Sequence, residues 1–453
     1  MTATGNKKHY FLSGIGGSGM MPLAYILKGR GHRVSGSDRG RDQGRSPEKF
    51  ARLEVDGFAL HPQDGSGVHD IDALVVSAAV EDTVPDVKAA RDAGVSILKR
   101  AELLAEIFNA FPRRIAVGGT SGKTTTTGMI AYILKEAGLD PTVMCGGVMK
   151  NYGVTALAGK GDVFVTECDE SDGSIALYDP DVAVLTNISV DHKGLDELRA
   201  LFSHFVARAR VPVVNADNAE SARLIGPGAR SFSLHDSGRD YATTHVYHLE
   251  EGTAAVVNGV ALSLDLPGEH NLSNALAAIA AAEAYGIGVE KSCDILARFQ
   301  GIKRRMEWVG EAGGVAVIDD FAHNPDKIAA TLSTLRRHPG RLLVIFQMHG
   351  YGPLKLMWRE LAETFRTHTD EHDCIYMPDP LYLGGTADRA IGTKQVCEAI
   401  GPRAHWCETR DACGLSALLE AQPGDRIVVM GARDDTLSDF ASGLLESLKK
   451  KAA

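Results

Sequence analysis

The chain has 453 residues, of which 44% are hydrophobic and 23% are charged, and its formal net charge at pH 7 is −10. This length is typical of about three globular domains with buried cores. Because the chain is acidic and has no basic block, its composition argues against a surface that binds nucleic acid.

Short apolar runs alternate with helical patterns along the chain, and many of the runs end in a glycine-bearing or acidic turn. We predict buried strands at His9–Leu12, Ala73–Ser77, Arg114–Gly118, Asp162–Thr166, Val182–Thr186, Val211–Asn215, Val315–Ile318, Leu342–Phe346 and Arg426–Met430. Strands of this kind, followed by helices, predict an α/β fold with mostly parallel sheets.

The pattern divides the chain into three segments. Residues 1–111 carry a first glycine-rich loop, residues 112–300 carry a second, and residues 301–453 form the third segment. The second segment opens with a predicted linker at Pro112–Arg114. Within it, Ser231–Leu266 alternates polar and apolar side chains without helical signals, which predicts an antiparallel β excursion.

The first glycine-rich loop joins a predicted strand to a helix that starts near Met20. It consists of Gly14, Ile15, Gly16, Gly17, Ser18 and Gly19. Its glycines let the backbone approach a diphosphate at the helix N-terminus. Asp38, which follows Ser37, lies where a ribose-binding carboxylate is expected. Alone, this loop favours NAD, and the alternative is a tight turn with a solvated Asp38.

The second glycine-rich loop also joins a predicted strand to a helix. It consists of Gly119, Thr120, Ser121, Gly122, Lys123, Thr124 and Thr125. In such a loop the backbone N–H groups cradle phosphates, Lys123 reaches the β- and γ-phosphate oxygens, and Thr124 ligates Mg²⁺. Val117 replaces the first glycine of the usual P-loop, so the loop is a shortened variant. The alternative, a helix N-cap by Thr120 or Ser121, explains neither Lys123 nor the paired glycines.

Six motifs, in order along the chain, resemble those of the Mur ligases, the ATP-dependent amide-forming enzymes of peptidoglycan assembly. They are Gly119–Thr125, Glu167–Asp172, Thr186–Ile188 with Asp191 and His192, Gly268–Asn271 with Asn274, Lys303–Glu307, and Asp319–Pro325. The resemblance implies a Rossmann-like N-terminal domain for a UDP-sugar, a central P-loop ATPase domain and a Rossmann-like C-terminal domain. It also implies ATP and Mg²⁺ as cofactors and an acyl phosphate as the intermediate.

Within the family, the first loop, Ser37–Asp38 and the acidic motif are most similar to the alanine-adding members and to those that recycle a murein peptide. UDP-N-acetylmuramate is therefore the expected carboxylate substrate, and L-alanine is only slightly favoured over a peptide as the acceptor. Some family members use a carbamylated lysine after the metal-binding histidine. Here no lysine occurs between Lys193 and Lys291, which excludes that device.

The expected catalytic residues are Lys123, Glu167, His192, Arg305 and His323. Thr124 and Glu167 offer hard oxygen ligands that suit Mg²⁺, and the resemblance implies that His192 holds a second metal. The resemblance also places His323 near the incoming amine, which it would position or deprotonate, because an ammonium cannot attack.

The resemblance implies further contacts with both nucleotides. For the UDP-sugar they are the first loop, Ser37, Asp38 and Ser77; for ATP they are the second loop, Asn271, Asn274, Arg305 and Asp320. Structural alternatives remain open at several positions. They are a helix N-cap at Asn271, a turn cap at Asp320, solvated side chains at Lys303 and Arg304, and a solvated acidic turn at Asp169, Glu170 and Asp172.

The sequence departs from the alanine-adding members in its third segment. Gly350 and Pro353 replace two arginines that in the family face the carboxylates of the product and the amino acid. Because bidentate arginine contacts recognise a small zwitterion strongly, their loss favours a peptide or another amine as the acceptor. Lys355 and Arg359 are candidates to compensate for the missing arginines.

Two functions of other classes remain as alternatives. An NAD-dependent oxidoreductase would use the first loop but leaves Lys123, Glu167 and His192 unexplained. A non-catalytic nucleotide sensor would not need His192, the implied ligand of a second metal.

The cysteines and the chain's hydropathy predict a location. Seven scattered cysteines without a C-x-x-C pair predict reduced thiols, and Cys145 and Cys168 are expected to be buried packing residues. The polar N-terminus and the lack of an apolar run of roughly 20 residues predict a cytoplasmic protein without a membrane partner. We expect a monomer or a weak homodimer.

Overall fold

The structure is a computed structural model of the chain. It describes residues 7–77, 80–189, 194–249, 252–381, 389–432, 434 and 436–452. The chain divides into two compact units. Unit 1 consists of Met1–Thr244, Val257–Val260 and Ser273–Leu296, and unit 2 consists of His245–Val256, Ala261–Leu272 and Ala297–Ala453.

The first sheet, in unit 1, has five parallel strands in the order β3-β2-β1-β4-β5. Its elements are β1 (His9–Ser13), α1 (Met20–Gly29), β2 (Arg33–Ser37), α2 (Arg39–Asp42), α3 (Pro47–Val55), β3 (Ala59–His61), β4 (Ala73–Val76), α4 (Pro85–Asp92), β5 (Ser96–Lys99) and α5 (Arg100–Asn109). The strand order reverses between β1 and β4, where ligands bind in Rossmann-like sheets. The first glycine-rich loop leaves β1 at this point.

The second sheet has ten strands in the order β15-β14-β13-β12-β11-β10-β6-β9-β7-β8. Its elements are β6 (Arg113–Gly118), α6 (Lys123–Glu136), β7 (Thr142–Met149), β8 (Val154–Leu157), β9 (Val163–Glu167), a 3-10 turn (Ser174–Leu177), β10 (Val182–Leu185), α7 (Leu195–Arg208), β11 (Val211–Asn215), α8 (Ala219–Ala222), β12 (Arg230–Ser233), β13 (Tyr241–His248), β14 (Thr253–Val257), β15 (Val260–Leu264), α9 (Glu269–Glu283) and α10 (Val289–Leu296). β6 lies between β9 and β10 and is parallel to both. The second loop, which follows β6, therefore starts at the sheet edge where Glu167 ends β9.

Helix α5 links the first sheet to the parallel part of the second one within unit 1. The ring of Phe108 lies 5.5 Å from that of Phe164 on β9 and 5.2 Å from that of Tyr178, measured between centroids. Asn109, the last residue of α5, donates from Nδ2 to the carbonyl of Leu177 at 2.9 Å. The three aromatic rings belong to one buried core that includes residues of both sheets, whereas the hydrogen bond of Asn109 is exposed.

The expected linker at Pro112–Arg114 is wrong for Arg113 and Arg114. Arg113 and Arg114 are the first residues of β6, and their guanidinium groups form ion pairs with Asp162 and Asp181. These pairs fix the start of β6 to the segments that lead into its two neighbouring strands, so this stretch of the chain belongs to the sheet.

The expected antiparallel excursion is wrong in its first part. β12 and β13 pair in parallel, with Phe232 opposite Tyr241. The Asp240 carboxylate accepts hydrogen bonds from the N–H and the hydroxyl of Ser231, both at 2.7 Å. These bonds connect the residue before β13 to the start of β12, as the parallel pairing requires.

The third sheet, in unit 2, has six strands in the order β16-β17-β21-β18-β19-β20. Its elements are β16 (Glu307–Ala312), β17 (Val315–Asp320), α11 (Pro325–Leu335), β18 (Leu342–Gln347), α12 (Tyr351–His368), β19 (Cys374–Pro378), α13 (Thr393–Ile400), β20 (Ala404–Cys407), α14 (Arg410–Glu420), β21 (Arg426–Gly431) and α15 (Thr436–Ala452). β16 is antiparallel to β17, and the other pairs are parallel. The predicted α/β class with mostly parallel sheets is confirmed.

The cysteines are free thiols, and Cys145 and Cys168 are each 1% exposed, so both are buried packing residues as expected. Within the described stretches of the chain, every helix is too short or too polar to cross a membrane.

Candidate active site

The first glycine-rich loop uses most of its backbone N–H groups inside the protein. Those with acceptors belong to Gly14, Ile15, Gly16 and Gly17. The N–H groups of Ser18 and Gly19, by contrast, donate to no other described residue. They lie just before helix α1, where the helix dipole favours an anion.

Asp38 and Ser37 have structural partners beside this loop. The Asp38 carboxylate accepts from the N–H of Gly16 at 2.9 Å and from the N–H of Gly40 at 2.7 Å. The alternative of a merely solvated Asp38 is therefore wrong. The fully buried Ser37 hydroxyl donates to Asp86. Sequence reasoning missed Asp86, because one acidic residue in a helix's first turn carries no distinguishing signal.

The second glycine-rich loop is fastened to the segment that follows β10. Thr120 N donates to the carbonyl of Asn187 at 3.1 Å, and Ser121 N donates to its Oδ1 at 2.9 Å. Gly119 has a φ of +132°, and a Cβ there would lie 2.0 Å from Thr186 Oγ1. The motif that contains Thr186 and Asn187 therefore shapes the loop, a role that its sequence alone did not indicate.

The N-terminus of α6 faces the loop with free backbone donors. Its N-cap is Gly122, with no side-chain cap, so the alternative of a cap by Thr120 or Ser121 is wrong. The N–H groups of Gly122 and Lys123 donate to no other described residue. A phosphate at a helix N-terminus is bound by donors of this kind.

Lys123 is held at the loop by two acceptors. Its Nζ donates to the carbonyl of Gly119 and to Glu170 Oε2, each at 2.7 Å. The Glu170 side chain is only 7% exposed, so the alternative of a solvated acidic turn is wrong for this residue. The solvated-turn alternative is correct for Asp169 and Asp172. Both are exposed, and their carboxylates accept hydrogen bonds from the N–H groups of Ser171 and Ser174, respectively.

Thr124 and Glu167 bring two hard oxygens together next to the loop. Thr124 Oγ1 donates to Glu167 Oε2 at 2.9 Å. A Cβ at Gly146 would lie 2.1 Å from Glu167 Oε1, so glycine at that position leaves room for the carboxylate. Together the hydroxyl and the carboxylate fit the ligand preferences of Mg²⁺. His192, the expected ligand of a second metal, lies outside the described residues.

Asn274 lies beside the second loop. Its Oδ1 accepts from Thr126 Oγ1 at 3.1 Å and lies 2.6 Å from where a Cβ of Gly122 would stand. Asn271, in the first turn of α9, donates from Nδ2 to the carbonyl of Pro267 at 2.8 Å. Because α9 begins at Glu269, the alternative of an N-cap at Asn271 is wrong.

In unit 2, Arg304 is buried and bound by other residues of the protein, whereas Arg305 is only partly buried. The Arg304 guanidinium pairs with Asp319 at 3.2 Å and donates to the carbonyl of Gly431 at 2.8 Å. At 8% exposure it cannot be the solvated side chain that the sequence allowed, although Lys303 is exposed. The guanidinium of Arg305 lies 4.6 Å from the centroid of the Phe321 ring.

The carboxylate of Asp320 accepts hydrogen bonds from other residues of unit 2. Its Oδ1 accepts from Met306 N at 3.1 Å and from Phe321 N at 2.9 Å, and its Oδ2 accepts from the hydroxyl of Thr331. This geometry agrees with the alternative in which Asp320 caps the turn after β17. The carboxylate fixes the segment of Arg305 relative to the turn that carries His323.

His323 is a neutral histidine. Its ring packs edge-on against Phe321 and His349, and its Nδ1 lies 2.8 Å from the carbonyl of Phe321, to which it donates. Burial, assisted by the charge of Lys327, lowers the pKa of His323 to about 3. The Nε2 atom is then a hydrogen-bond acceptor at neutral pH, with little capacity to store a proton.

The backbone at the start of α12 does not suit an arginine side chain at position 350. Gly350 has φ and ψ of 149° and 160°, a combination that is essentially restricted to glycine. Lys355 and Arg359 are both exposed on α12. Arg389 lies near this segment, with its guanidinium 5.7 Å from the centroid of the Tyr351 ring.

The structure thus groups the expected residues within each unit. In unit 1 the second loop, Glu167 and Asn274 lie together, and the first loop, Ser37, Asp38 and Ser77 lie at the carboxyl edge of the first sheet. In unit 2, Arg305 and His323 contact the Phe321 ring, and Asp320 accepts a hydrogen bond from the N–H of Phe321.

Three family models match successive parts of the chain. They are described as Mur ligase family, catalytic domain (residues 9–112), Mur ligase middle domain (residues 117–282), and Mur ligase, glutamate ligase domain (residues 304–433). All three are ligase domains, so the oxidoreductase alternative is not supported.

Among curated relatives, a UDP-N-acetylmuramate–L-alanine ligase of Gloeobacter violaceus is 35% identical over 444 residues, covering 95% of this chain and 94% of the relative. Among solved structures, the UDP-N-acetylmuramate–alanine ligase of Thermotoga maritima matches with a TM-score of 0.80 at 26% identity, over 98% of this chain and all of that one. A murein peptide ligase of Psychrobacter arcticus matches over the same shares, with a TM-score of 0.71 at 26% identity.

Proposed function

The chain belongs to the Mur ligase family, and on this premise we propose that it couples ATP cleavage to amide formation between UDP-N-acetylmuramate and an amine. The observation that carries the proposal is the cluster at the carboxyl edge of β6 and β9. There Lys123, Thr124 and Glu167 surround the free N–H groups at the start of α6. This cluster suits the triphosphate of ATP.

The chemistry follows from the need for a leaving group on the sugar carboxylate. One carboxylate oxygen attacks the γ-phosphorus of ATP, the bond between the γ-phosphorus and the bridging oxygen breaks, and ADP departs. The amine nitrogen then attacks the acyl carbon, the C–O bond to phosphate breaks, and the amine's extra proton leaves. Lys123 offsets the charge that develops on the transferred phosphoryl group.

Thr124 and Glu167 are the residues that would hold Mg²⁺. When bound, this ion neutralises phosphate charge and aligns the phosphoryl group for transfer. Arg305 is proposed to contact the ATP phosphates, and Asn271 and Asn274 to contact the adenine. His192 is proposed as a ligand of a second metal.

His323 is proposed to position the amine rather than to take up its proton. With a pKa near 3, its neutral Nε2 accepts a hydrogen bond but holds a proton poorly. Proton release to solvent, or to the departing phosphate, fits this pKa better.

L-alanine is the acceptor that we propose first, because curated relatives similar over nearly the whole chain are L-alanine ligases. A second candidate is a murein peptide. One observation favours it: the backbone at Gly350 and the proline at Pro353 remove two cationic side chains that would contact the carboxylate of a small acceptor.

We propose a UDP-sugar domain at residues 1–111, an ATP-binding domain at 112–300 and a C-terminal ligase domain at 301–453. The spans of the three family models support these boundaries. We further propose that the enzyme acts in the cytoplasm, as a monomer or a weak homodimer.

Phosphate release from ATP and Mg²⁺ tests the proposal, with UDP-N-acetylmuramate as donor and each amino acid or a murein tripeptide as acceptor. The expected result is release that requires both the sugar and one amine. Lys123→Ala should lower it at least about 100-fold, whereas Lys135→Ala, on the same helix but paired with Asp140, should not. If every combination fails in the native enzyme, the proposed donor is wrong.

A further inference from the structure

Gln347, the last residue of β18, lies at the carboxyl edge of the third sheet, where it pairs with Gly431 at the end of β21. Its side chain is almost enclosed, since the residue is only 6% exposed. Two residues further on, the ring of His349 lies 5.1 Å from that of His323, measured between centroids. The segment that Gln347 begins therefore contacts the neutral histidine that is proposed to position the amine.

Asp434 fixes the orientation of the Gln347 amide, whose Nε2 donates to Asp434 Oδ2 at 2.7 Å. Although burial acts in the opposite direction, hydrogen bonds from Thr436 and Gln347 lower the pKa of Asp434. The carboxylate is therefore ionised at neutral pH and can only accept hydrogen bonds. Arg410 donates to the same Oδ2 atom at 2.9 Å and holds the carboxylate in place. The amide nitrogen must face Asp434, and the amide oxygen, Oε1, must face away from it.

The Oε1 atom of Gln347 is an acceptor without a donor. It receives no hydrogen bond from any residue that the structure describes. It is also not one of the fully enclosed side-chain atoms in the described part of the chain, so a ligand can reach it. An amide that is nearly buried normally has partners for both of its polar atoms. The missing donor therefore points to a ligand that supplies an N–H group.

A neutral acceptor suits the amine of this reaction better than a carboxylate would. A carboxylate would stabilise the ammonium form and raise the pKa of the amine, and an ammonium cannot attack an acyl carbon. The amide oxygen of Gln347 accepts an N–H bond without adding a negative charge. His323 offers a second neutral acceptor, Nε2, because its Nδ1 donates to the carbonyl of Phe321. Such acceptors hold the N–H groups of an amine and leave its lone pair for the acyl carbon.

We propose that Gln347 binds the attacking amine through Oε1, and that Asp434 is a positioning residue that keeps this oxygen turned towards the substrate. The inference rests on the proposed function, since it takes the carboxyl edge of the third sheet as the site of the amine. It applies to L-alanine and to a murein peptide alike, because both offer an N-terminal amine.

Steady-state kinetics of phosphate release test the inference, with the acceptor that the native enzyme uses. Gln347→Met keeps a side chain of similar length but removes the amide. The KM for the amine should rise about 10- to 100-fold, the range for one hydrogen bond to a group that carries charge. The KM values for ATP and UDP-N-acetylmuramate should stay within about twofold of the native ones.

A paired exchange, Gln347→Glu with Asp434→Asn, separates a contact with the amine from a structural effect. It keeps the hydrogen bond between the two side chains with its direction reversed, and it puts a carboxylate oxygen where Oε1 stood. Because this oxygen stabilises the ammonium, the pH at half-maximal kcat should rise by about one unit. A residue that only supported the fold would not move this pH profile.

Gln422→Glu is the matched control, because this glutamine is exposed in the same domain, and its KM values and pH profile should be native. A native KM for the amine in Gln347→Met would overturn the inference. So would equal increases in all three KM values, or an unchanged pH profile in the paired exchange. If the native enzyme releases no phosphate with any amine, the proposed function fails first.

Discussion

Lys123 and Glu170 form an ion pair of 2.7 Å at the phosphate-binding loop, with 17% and 7% of their side chains exposed. The lysine that should receive the phosphates of ATP is therefore already neutralised by a carboxylate. Glu170 reaches it from the acidic segment that follows β9. ATP must displace this carboxylate, since two anions cannot share one ammonium without repulsion.

Removing the charge of Glu170 should strengthen ATP binding. Glu170→Gln keeps the shape of the side chain but frees Lys123, so we expect ATP affinity to rise about tenfold, or about 1.4 kcal/mol. Calorimetric titration with ATP measures it. Asp172→Asn is the control, because this exposed carboxylate only caps the turn at Ser174. If Glu170→Gln binds ATP no more tightly than the native protein does, Glu170 does not compete with ATP for Lys123.

The hydroxyl of Thr124 should set the magnesium requirement. Thr124→Val keeps the shape and removes the oxygen next to Glu167, so the Mg²⁺ concentration at half-maximal activity should rise at least about tenfold. Thr127→Val is a close control: its buried hydroxyl, one turn further along α6, has no hydrogen-bond partner among the described residues. If activity depends on Mg²⁺ concentration in the same way in both variants, Thr124 is not a ligand of Mg²⁺.

His323 should make unfolding depend on pH. Its folded pKa of about 3 lies below the ordinary value of 6.5, so protonation favours the unfolded chain. The stability it contributes is complete above pH 6.5 and declines as the pH falls towards 3. Between pH 7.5 and pH 5 the loss should be about 2 kcal/mol.

Urea unfolding at both pH values, with native protein and His323→Asn, measures this contribution. Asparagine can still donate to the Phe321 carbonyl but does not titrate, so its pH difference should be smaller by that amount. The exposed His372→Asn serves as the control. A native-like pH difference in His323→Asn would show that other groups cause it.

Arg304 should matter for folding. Arg304→Met leaves Asp319 buried without its cation, and we expect a loss of about 3–5 kcal/mol in the free energy of unfolding. Arg366→Met, which breaks an exposed pair with Glu363, should cost less than about 1 kcal/mol. Denaturant unfolding measures both losses. If they are comparable, the burial of Arg304 does not determine its contribution to the free energy of unfolding.

An arginine should improve binding of L-alanine when it is placed at position 353, but should destabilise the domain at position 350. Pro353→Arg restores a cation on α12, and we expect the KM for L-alanine to fall about tenfold. Gly350→Arg should instead destabilise the domain by about 1–3 kcal/mol, because its backbone conformation excludes side chains. Leu356→Arg, at a position 84% exposed on the same helix, is the control. No change in KM for Pro353→Arg would favour a larger acceptor.

The sequence predicted much of the fold, because apolar runs mark strands that are buried on both faces. Val211–Asn215 was predicted to the residue, and the predicted run at Leu342–Phe346 forms all but the last residue of β18. The predicted direction of β13 was wrong: β13 is parallel to β12, and Asp240 contacts Ser231 at the starts of the two strands. Apolar pattern carries no information about such a contact.

The site was predictable where a motif has a fixed chemistry, as at Lys123 and Thr124. It was not predictable where the role depends on burial. Glu170 and Arg304 looked like solvated charges next to other charges, and only their distances to Lys123 and Asp319 show otherwise. Asp86 stands outside every motif, so its contact with Ser37 is visible only in the folded structure.

The backbone of Gly350 limits how the acceptor specificity of this enzyme can be changed by mutation. An arginine gained there by a point mutation would first have to be accommodated by a shifted loop, so the gain is harmful until the loop has moved. Selection for a smaller acceptor therefore cannot start with that side chain. Changes elsewhere in the segment must come first, and directed evolution of this specificity should begin with the loop.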